Sequence, residues 1–365
     1  MKERLHNLCK KYHLGTLIEF PEMITGGLLH RMYRVTTTSG QYAIKALNPD
    51  IMKRPKALGN MIFSEIVAHK LMDEIPLVAA KEFEGKHVLE DSGYYYMIFD
   101  WLEGRSVFGQ EITPAHCKQI GQILGRIHRA DIRVDTMEQE TEGREPIDWE
   151  GLLEYARSLV KKAQPQPEAD SSEEKSSFYS SAAEAKECAS ILEKYLEALQ
   201  KWDQAVLIGW QQVSGQQVTS HRDLDPKNVM WQGEGPDARA YIIDWEAAGY
   251  VKPYQELVEV LNYWIIDENG GYDREKFNTL MDAYTESMSL DGVDWDSIFS
   301  CSRDGMLGWL AYNVKRALGL EGSDTEDRQA GLQQMQGTIQ ELKQYDERIK
   351  QLKEWMEEYA GTNSL

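Results

Sequence analysis

Cysteine is scarce in this chain, and its few copies lie far apart. Only four occur in 365 residues, namely Cys9, Cys117, Cys188 and Cys301, and no two of them form a Cys-x-x-Cys pair. Zinc sites built on paired cysteines, and the disulfide frameworks of small secreted domains, need such pairs or clusters. The sequence therefore argues against both and predicts a protein of a reducing compartment.

Long apolar runs are also missing. A helix that spans a bilayer needs about 18 or more consecutive apolar residues, and no stretch of the sequence approaches that length. The N-terminal segment MKERLHNLCKKYH carries too many charges for the apolar stretch of a signal peptide. We therefore expect a cytoplasmic protein with no membrane partner.

Positive charge is in the minority. The chain has 40 Lys and Arg against 60 Asp and Glu, a net charge of −20, which disfavours nucleic acid and anionic membranes as partners. Residues 1–104 hold 13 basic and 13 acidic residues, so the whole excess lies downstream. Together with a length of about two domains, this asymmetry favours two lobes with different partners. Acidic residues that merely solubilise surface helices would give the same asymmetry.

Several common enzyme motifs are absent as well. The sequence has no Gly-x-x-x-x-Gly-Lys-Ser/Thr phosphate loop and no Gly-x-Gly-x-x-Gly dinucleotide fingerprint. It also has no Gly-x-Ser-x-Gly hydrolase turn and no His-Glu-x-x-His metal helix. The enzyme classes that depend on these motifs are therefore not favoured.

The pattern of apolar residues along the sequence changes near Gly104. The first 104 residues contain apolar or β-branched runs separated by turn residues, with one helical pattern over Ala57–Glu74. Strands are predicted at Tyr33–Thr37, Tyr42–Leu47, Val88–Leu89 and Tyr94–Phe99. Residues 105–365 are mostly helical in pattern, interrupted by two predicted strands at Gln217–Thr219 and Ala240–Ile243. Residues 163–182, rich in Pro, Ser and Glu, predict a mobile loop.

One segment combines side chains suited to phosphoryl transfer. His221-x-Asp223 is followed by Asn228 five residues after the aspartate, and Asp244 follows sixteen residues later at the end of a strand. Transfer from a nucleoside triphosphate needs a carboxylate that orients the attacking hydroxyl and accepts its proton, together with oxygen ligands for Mg²⁺. We assign the first task to Asp223 and the metal to Asn228 and Asp244, and we expect His221 to brace the loop. A lone aspartate such as Asp244 could instead cap a helix.

Two further charged residues lie among apolar neighbours. Lys45 lies in the strand pattern Ala43-Ile44-Lys45, and Glu65 shares its helical face with Ile62 and Ile66. A carboxylate that faces inward needs a cation, so we predict that Lys45 and Glu65 pair and help to bind a nucleotide. A purely structural ion pair is the alternative. The segment His128-Arg129-Ala130-Asp131 has no asparagine at the right spacing, and we interpret it as a helix terminus.

These motifs together resemble the aminoglycoside phosphotransferase and choline kinase group, relatives of the protein kinase fold. The resemblance covers nearly the whole chain and rests on Gly26-Gly27 with His30 and Tyr33-Arg34-Val35, Ala43-Ile44-Lys45, residues 98–104 (IFDWLEG), residues 123–128 (ILGRIH), residues 220–228 and Ile243-Asp244-Trp245. It implies an α+β, two-lobed protein kinase-like fold, with a small β-rich N-lobe over 1–104 containing one helix, a hinge near 98–104 and a larger helical C-lobe over 105–365.

The same resemblance implies how a nucleotide would bind. The Asp100 carbonyl and the Leu102 amide would bind adenine in the hinge, and the turn at Gly26 and Gly27 would cover the phosphates. ATP or GTP is the implied co-substrate, with Mg²⁺ as cofactor.

The sequence departs from the family pattern at two places. Arg222 stands where the family usually has glycine, and Asp225 stands where protein kinases carry a phosphate-contacting lysine. Lys227 is not at the matching position and receives no role. Leu28 and Leu29 follow the two glycines of the turn where more flexible residues are expected.

The acceptor is predicted from charge alone. Residues 251–300 contain eleven acidic and three basic residues, which favours a cationic acceptor such as an aminoglycoside or an amino alcohol. Helical spacing places Glu256, Glu259, Tyr263 and Asp267 on one surface, where they could bind an amine. A solvated helix face explains the pattern equally well.

Two other functions fit parts of the sequence. A catalytically inactive, nucleotide-binding regulator would have the same fold, but it commonly lacks one of the five residues Lys45, Glu65, Asp223, Asn228 and Asp244. A protein kinase needs an activation segment, and none is recognisable between Asp244 and the next helical pattern. The sequence therefore favours a small-molecule kinase.

Overall fold

A computed structural model describes residues 2–24, 29–134, 144–162, 172–213, 217–321 and 325–363. The chain forms two compact units. The first comprises Met1–Glu140 and Gln216–Ser289, and the second comprises Thr141–Gly215 and Leu290–Leu365. The predicted lobe boundary at residue 104 lies inside the first unit and remains a prediction.

An antiparallel sheet of five strands begins the first unit. Its strands are β1 (Glu22–Ile24), β2 (Arg31–Thr37), β3 (Gly40–Ala46), β4 (Leu89–Asp91) and β5 (Tyr94–Asp100), in the order β1-β2-β3-β5-β4. Alternate residues of β2 are buried, as the period of two in the sequence predicts. The β4–β5 turn has positive φ at Ser92 and Gly93, which matches the twist of a tight hairpin. Both predicted hairpins are therefore confirmed.

Three helices accompany this sheet, whereas the sequence predicted one. The predicted helix is α3 (Ala57–Leu71), and α1 (Lys2–Lys11) and the single turn α2 (Pro49–Met52) are additional. Helix α1 buries Leu5, Leu8 and Cys9 against the sheet. Its apolar residues repeat at helical spacing, but only three occur in a charged segment, so the pattern was weak.

In its described residues, the remainder of the first unit contains three helices, four short strands and several 3₁₀ turns. The helices are α4 (Pro114–Ala130), α7 (Pro253–Trp264) and α8 (Arg274–Thr285). The strands are β6 (Val218–Ser220), β7 (Val229–Gln232), β8 (Arg239–Ile242) and β9 (Gly249–Val251), paired as β6–β9 and β7–β8. The two strands predicted in this region correspond to β6 and β8.

The second unit is helical in its described residues. Its helices are α5 (Trp149–Lys162), α6 (Ser172–Gln212), α9 (Trp295–Cys301), α10 (Asp304–Ala317) and α11 (Thr325–Asn363). They share a core that includes Trp149, Leu192, Leu310 and Met335. Among the described residues, no helix is both long enough and apolar enough to cross a membrane.

The predicted mobile loop at 163–182 is wrong in the part that the structure describes. Residues 163–171 lie outside the described residues, and α6 begins at Ser172, so the later part is helical. Glu, Lys and Ala in this part are good helix formers. The Ser- and Glu-rich composition that suggested a loop was therefore compatible with a helix as well.

Helices α4 and α8 pack through glycine. A Cβ atom added to Gly121 would lie 2.3 Å from the Leu280 carbonyl oxygen, and one added to Gly125 would lie 2.8 Å from the Tyr284 carbonyl oxygen. No side chain fits at these two positions, because the backbone of α8 occupies the space. The glycines thus allow the two helices to approach closely.

This contact gives a test of the packing. Gly121→Ala should destabilise the first unit by about 1–3 kcal/mol, since the methyl group forces α4 and α8 apart. Gly59→Ala in α3 is the matched control, because nothing lies within 4 Å of its added Cβ. The control should be neutral or stabilise by up to about 1 kcal/mol through helix propensity. Unfolding in urea, followed by circular dichroism, measures both; equal effects of the two substitutions would contradict the close packing.

Candidate active site

The segment after β6 has a strained backbone that a buried carboxylate holds in place. Arg222 has a φ of 65°, in the left-handed region that costs most residues other than glycine roughly 1–2 kcal/mol. Its N–H donates to Glu256 Oε1 at 2.7 Å. Its side chain passes over Gly249, where a Cβ would lie 2.7 Å from Arg222 Nη1. Arg222 can therefore replace the glycine typical of this position because Glu256 binds its amide.

Glu256 is itself held by a histidine. Its Oε2 lies 2.7 Å from His128 Nε2, and His128 Nδ1 lies 3.0 Å from Tyr284 Oη. Burial alone would raise the pKa of Glu256, but the hydrogen bond and charge of His128 and the Arg222 N–H outweigh it and lower that pKa. The carboxylate is therefore ionised in the interior.

These contacts correct two predictions. Glu256 is 1% exposed and does not lie on an open acceptor surface, because α7 is buried on nearly all sides. His128 does lie in the last turn of α4, as predicted, but its ring is also the partner of Glu256. A histidine and a glutamate 128 positions apart give no local signal in the sequence.

Asp223 follows Arg222, and its carboxylate is held by Asn228 while the side chain stays partly exposed. Asn228 Nδ2 donates to Asp223 Oδ2 at 2.9 Å and to the Asp223 carbonyl at 2.8 Å. The Asp223 side chain is 36% exposed. The carboxylate is thus oriented by the loop that bears it and remains accessible, as a proton acceptor must be.

Lys227, to which no role was assigned from the sequence, lies near Asp223 and binds its other oxygen. Its Nζ lies 3.2 Å from Asp223 Oδ1 and 3.8 Å from Asp225 Oδ2. Asp225 Oδ1 also accepts the Lys227 N–H at 2.8 Å and caps the 3₁₀ turn at Pro226–Asn228. Burial would lower the pKa of Lys227, but the charges of Asp223 and Asp225 raise it. The spacing of four residues between Asp223 and Lys227 was the feature of the sequence that could have predicted this contact.

His221 braces the loop, as predicted. Its Nε2 donates to the Ile243 carbonyl at 3.0 Å, and its Nδ1 accepts the Asp223 N–H at 3.3 Å. The Ile243 N–H in turn donates to the Asn228 carbonyl at 2.9 Å, next to the paired strands β7 and β8. Asn228 and the residue before Asp244 are therefore tied together.

Asp244 lies beside Lys45. Lys45 Nζ, in β3, is 2.7 Å from Asp244 Oδ1 and 2.5 Å from Glu246 Oε2. Burial alone would raise the pKa of Asp244, but the charge and hydrogen bond of Lys45 outweigh burial, so the pKa of Asp244 is lowered. The pKa of Glu246 is raised, because burial and the charge of Asp244 outweigh Lys45. Burial would lower the pKa of Lys45, and the two carboxylates raise it instead. Asp244 is thus ionised and can act as an oxygen ligand.

The predicted pair between Lys45 and Glu65 is not formed in the described part of the chain. Glu65 is 2% exposed, and its Oε2 accepts the Ala80 N–H at 2.7 Å. Burial raises the pKa of Glu65 to about 7, against the opposing effects of the Ala80 N–H and the Lys45 charge. Two nearer carboxylates, Asp244 and Glu246, hold Lys45 instead, which is why the prediction was wrong.

The donor set suits a magnesium ion. Asn228 and Asp244 offer an amide oxygen and a carboxylate oxygen, which are ligand types that Mg²⁺ takes alongside phosphate oxygens and water. Among the residues that the structure describes, no group of three or more His, Cys, Asp and Glu side chains could hold a metal by itself. Asn228 and Asp244 are therefore the residues that would hold a magnesium ion.

The predicted hinge is part of β5 and the segment after it. The Asp100 carboxylate binds Lys81 at 2.7 Å, and the Trp101 N–H donates to the Gln41 carbonyl at 3.1 Å. Within the described residues, the Leu102 N–H donates to no other residue. Gly26 and Gly27 lie outside the described residues.

The remaining predicted acceptor residues do not share one surface. Glu259 is half-buried and accepts from Gln255 Nε2 at 3.3 Å, and Tyr263 is 41% exposed. Asp267 lies beyond the end of α7, and its Oδ1 accepts the N–H groups of Asn269 and Gly271, each at 2.8 Å. Asp267 therefore shapes a turn, and only Glu259 and Tyr263 lie on the outer side of the helix.

Glu65 gives a pH test of this site. Because its folded-state pKa of about 7 exceeds the ordinary value of 4.5, the unfolded chain binds fewer protons between these values, and stability should fall as pH rises from about 4.5 to 7. Glu65→Gln removes the titrating group and should remove this loss, which is on the order of 3 kcal/mol at most. Urea unfolding of both proteins at pH 5 and pH 8 measures the difference; parallel pH dependences would show that Glu65 titrates normally.

The chain is similar to several known phosphotransferases. It is 23% identical to the homoserine kinase of Paramagnetospirillum magneticum over 315 residues, 84% of each chain. It shares the fold of spectinomycin phosphotransferase in complex with ADP and spectinomycin, with a TM-score of 0.61, 16% identity and coverage of 92% of this chain and 94% of the other. It also shares the fold of an ethanolamine kinase from Plasmodium vivax, with a TM-score of 0.54, 15% identity and coverage of 93% and 89%.

These likenesses confirm the predicted two-part, protein kinase-like fold and the resemblance on which that prediction rested. The model of the phosphotransferase enzyme family matches residues 22–288, which is more than half of the chain and includes the predicted catalytic and metal-binding residues Asp223, Asn228 and Asp244. The chain therefore belongs to the phosphotransferase enzyme family and is a small-molecule kinase that acts on hydroxyl groups.

Proposed function

We propose that the protein transfers the γ-phosphoryl group of ATP to a hydroxyl of a small, amine-bearing acceptor, with Mg²⁺ as cofactor. The observation that carries this proposal is the state of Asp223: its Oδ2 is bound by Asn228 at 2.9 Å, while its side chain is 36% exposed. Such a carboxylate is fixed in direction yet accessible to an incoming hydroxyl.

Asp223 acts on the acceptor. Its accessible oxygen orients the acceptor hydroxyl and takes its proton as the acceptor oxygen bonds to the γ-phosphorus. The bond between the γ-phosphorus and the bridging oxygen then breaks, and the nucleoside diphosphate leaves. His221 and Asn228 keep the carboxylate in place during this step.

Lys45, Asn228 and Asp244 act on the triphosphate. Lys45 is buried and cationic, which suits it to bind phosphate oxygens. Asn228 and Asp244 would hold Mg²⁺, which neutralises phosphate charge when bound. Asp244 and Glu246 bind the Lys45 ammonium and so keep it beside the proposed metal ligand Asp244.

The adenine and the phosphates have further contacts in this proposal. The Leu102 N–H is unoccupied within the described residues and can donate to a ring nitrogen, while the Asp100 carbonyl accepts from the amino group. The resemblance assigns the phosphate-covering turn to Gly26 and Gly27, which lie outside the described residues. Glu65 would contribute to the nucleotide site indirectly, because it accepts the Ala80 N–H and so fixes the backbone at that residue. ADP in the complex of spectinomycin phosphotransferase supports ATP as the donor.

Two observations favour an acceptor with an amine. The chain carries a net charge of −20, which attracts cations, and the names of its relatives include homoserine kinase and ethanolamine kinase. The exposed Tyr263 with Glu259 offers an aromatic face near a carboxylate, a pairing suited to an ammonium group.

An inactive, nucleotide-binding regulator remains the second candidate function. It is less well supported, because Lys45, Asp223, Asn228 and Asp244 all keep the side chains that turnover needs. It would bind nucleotide with the same stabilisation but release no ADP when an acceptor is added.

Replacement of Asp223 tests the catalytic assignment. Asp223→Asn should lower acceptor-dependent ADP release by at least about 100-fold, because it removes the proton acceptor. ADP should still raise the melting temperature of the variant as it does for the wild type. Asp237→Asn, which changes an exposed aspartate, is the control and should keep full activity. Wild-type turnover in Asp223→Asn would refute the assignment.

Matched pairs of acceptors test the substrate class. ADP release should be higher with ethanolamine than with ethylene glycol, and higher with homoserine than with 4-hydroxybutyrate, since each pair differs only at the amine. The panel should also include choline and spectinomycin. Release that is stimulated by no acceptor, from a protein that binds ATP, would favour the regulator. Equal stimulation within the pairs would contradict the cationic acceptor.

A further inference from the structure

The loop that bears Asp223 has its charges in an unusual order. Asp225 stands two residues after Asp223, where protein kinases carry a lysine, and the only nearby lysine of the loop is Lys227. The fold nevertheless brings the Lys227 ammonium to 3.2 Å from Asp223 Oδ1. A cation is therefore present beside the catalytic carboxylate, supplied from a different position.

The geometry places this cation on the reactive side of Asp223. Asn228 binds Oδ2, so Oδ1, the oxygen that Lys227 contacts, is the one available to a hydroxyl. The Lys227 side chain is 51% exposed, whereas its backbone is fixed by the bond from its N–H to Asp225 Oδ1. The long side chain can thus move while its attachment stays in place.

Several carboxylates share this one ammonium. Asp223, Asp225 and Asp244 all act on Lys227 electrostatically, and Asp244 also binds Lys45. Lys227 therefore contacts the proposed proton acceptor and also feels the charge of Asp244, the proposed metal ligand. A simple ion pair between residues four positions apart on an exposed helix would involve Asp223 alone.

We propose that Lys227 contacts the transferring phosphoryl group and supplies the positive charge that the loop lacks at position 225. The inference rests on the proposed function and assigns a further residue to the same site. In the step described above, Asp223 gains the acceptor's proton and loses its negative charge. Its hold on the Lys227 ammonium then weakens, and the ammonium can contact the equatorial oxygens over which the charge of the transferring phosphoryl group is spread.

This timing matters for catalysis. A contact that strengthens only as the phosphoryl group leaves the diphosphate lowers the barrier without tightening ground-state binding. Removal of Lys227 should therefore lower kcat and leave the affinity for ADP nearly unchanged. A lysine that only holds Asp223 in place would show no selective effect on a mimic of the transferring group.

A transition-state mimic tests the proposal without an identified acceptor. Isothermal titration calorimetry compares the binding of ADP with Mg²⁺ in the absence and presence of aluminium fluoride, which mimics the phosphoryl group in flight. The proteins are the wild type, Lys227→Met, Lys227→Arg and Lys53→Met. Lys53 is a matched control, because it is an exposed lysine that binds Asp50 at 2.7 Å.

The expected result is selective. Aluminium fluoride should tighten ADP binding to the wild type. In Lys227→Met, the gain in affinity caused by aluminium fluoride should be at least tenfold smaller than in the wild type. The affinity of this variant for ADP alone should change by less than about twofold. Lys227→Arg should keep most of the gain, and Lys53→Met all of it. Lys227→Gln serves in place of the methionine variant if that protein does not fold.

Two failures are distinguishable. If the wild type gains affinity from aluminium fluoride and Lys227→Met gains equally, Lys227 does not contact the phosphoryl group and this inference is wrong. If the wild type itself binds no ADP, or gains nothing from aluminium fluoride, the proposed kinase function fails and this inference fails with it.

Discussion

The ionised carboxylate of Glu256 is the contact on which the active site depends. It lies in the interior, where an unpaired charge would be costly, and it is stabilised by the His128 ring and the Arg222 N–H. The Arg222 N–H belongs to a residue with a strained backbone. The position of Asp223, one residue later, therefore depends on a hydrogen bond to a buried carboxylate, and the strain at Arg222 persists because Glu256 compensates for it.

Two lysines organise the charges in the same way. Lys45 lies between Asp244 and Glu246, and Lys227 lies between Asp223 and Asp225. Each ammonium lies within ion-pair distance of two carboxylates and so offsets the repulsion between them. The buried Lys45 ammonium is therefore oriented before any ligand arrives, whereas the exposed Lys227 side chain can still move.

The sequence predicted the parts of the site that lie close together along the chain. His221, Asp223 and Asn228 share one turn, and Asp244 follows a strand that pairs with the residues after Asn228, so their spacing carried most of the geometry. The partner of Lys45 could not be predicted in this way, because three inward-facing carboxylates compete for it and the tertiary fold decides among them. Glu256 was misplaced since helical spacing shows which residues share a face, but not whether that face is covered.

The close contact of Gly121 and Gly125 in α4 with the backbone of α8 limits how these two helices can move. His128 lies on α4 and Tyr284 on α8, so the two ring partners behind the catalytic loop are carried by helices in backbone contact. Neither helix can shift without disturbing the hydrogen bonds of both rings. The pair should consequently open as one cooperative block, with amide protons that exchange slowly, while the exposed end of Lys227 moves on the fast timescale of surface side chains.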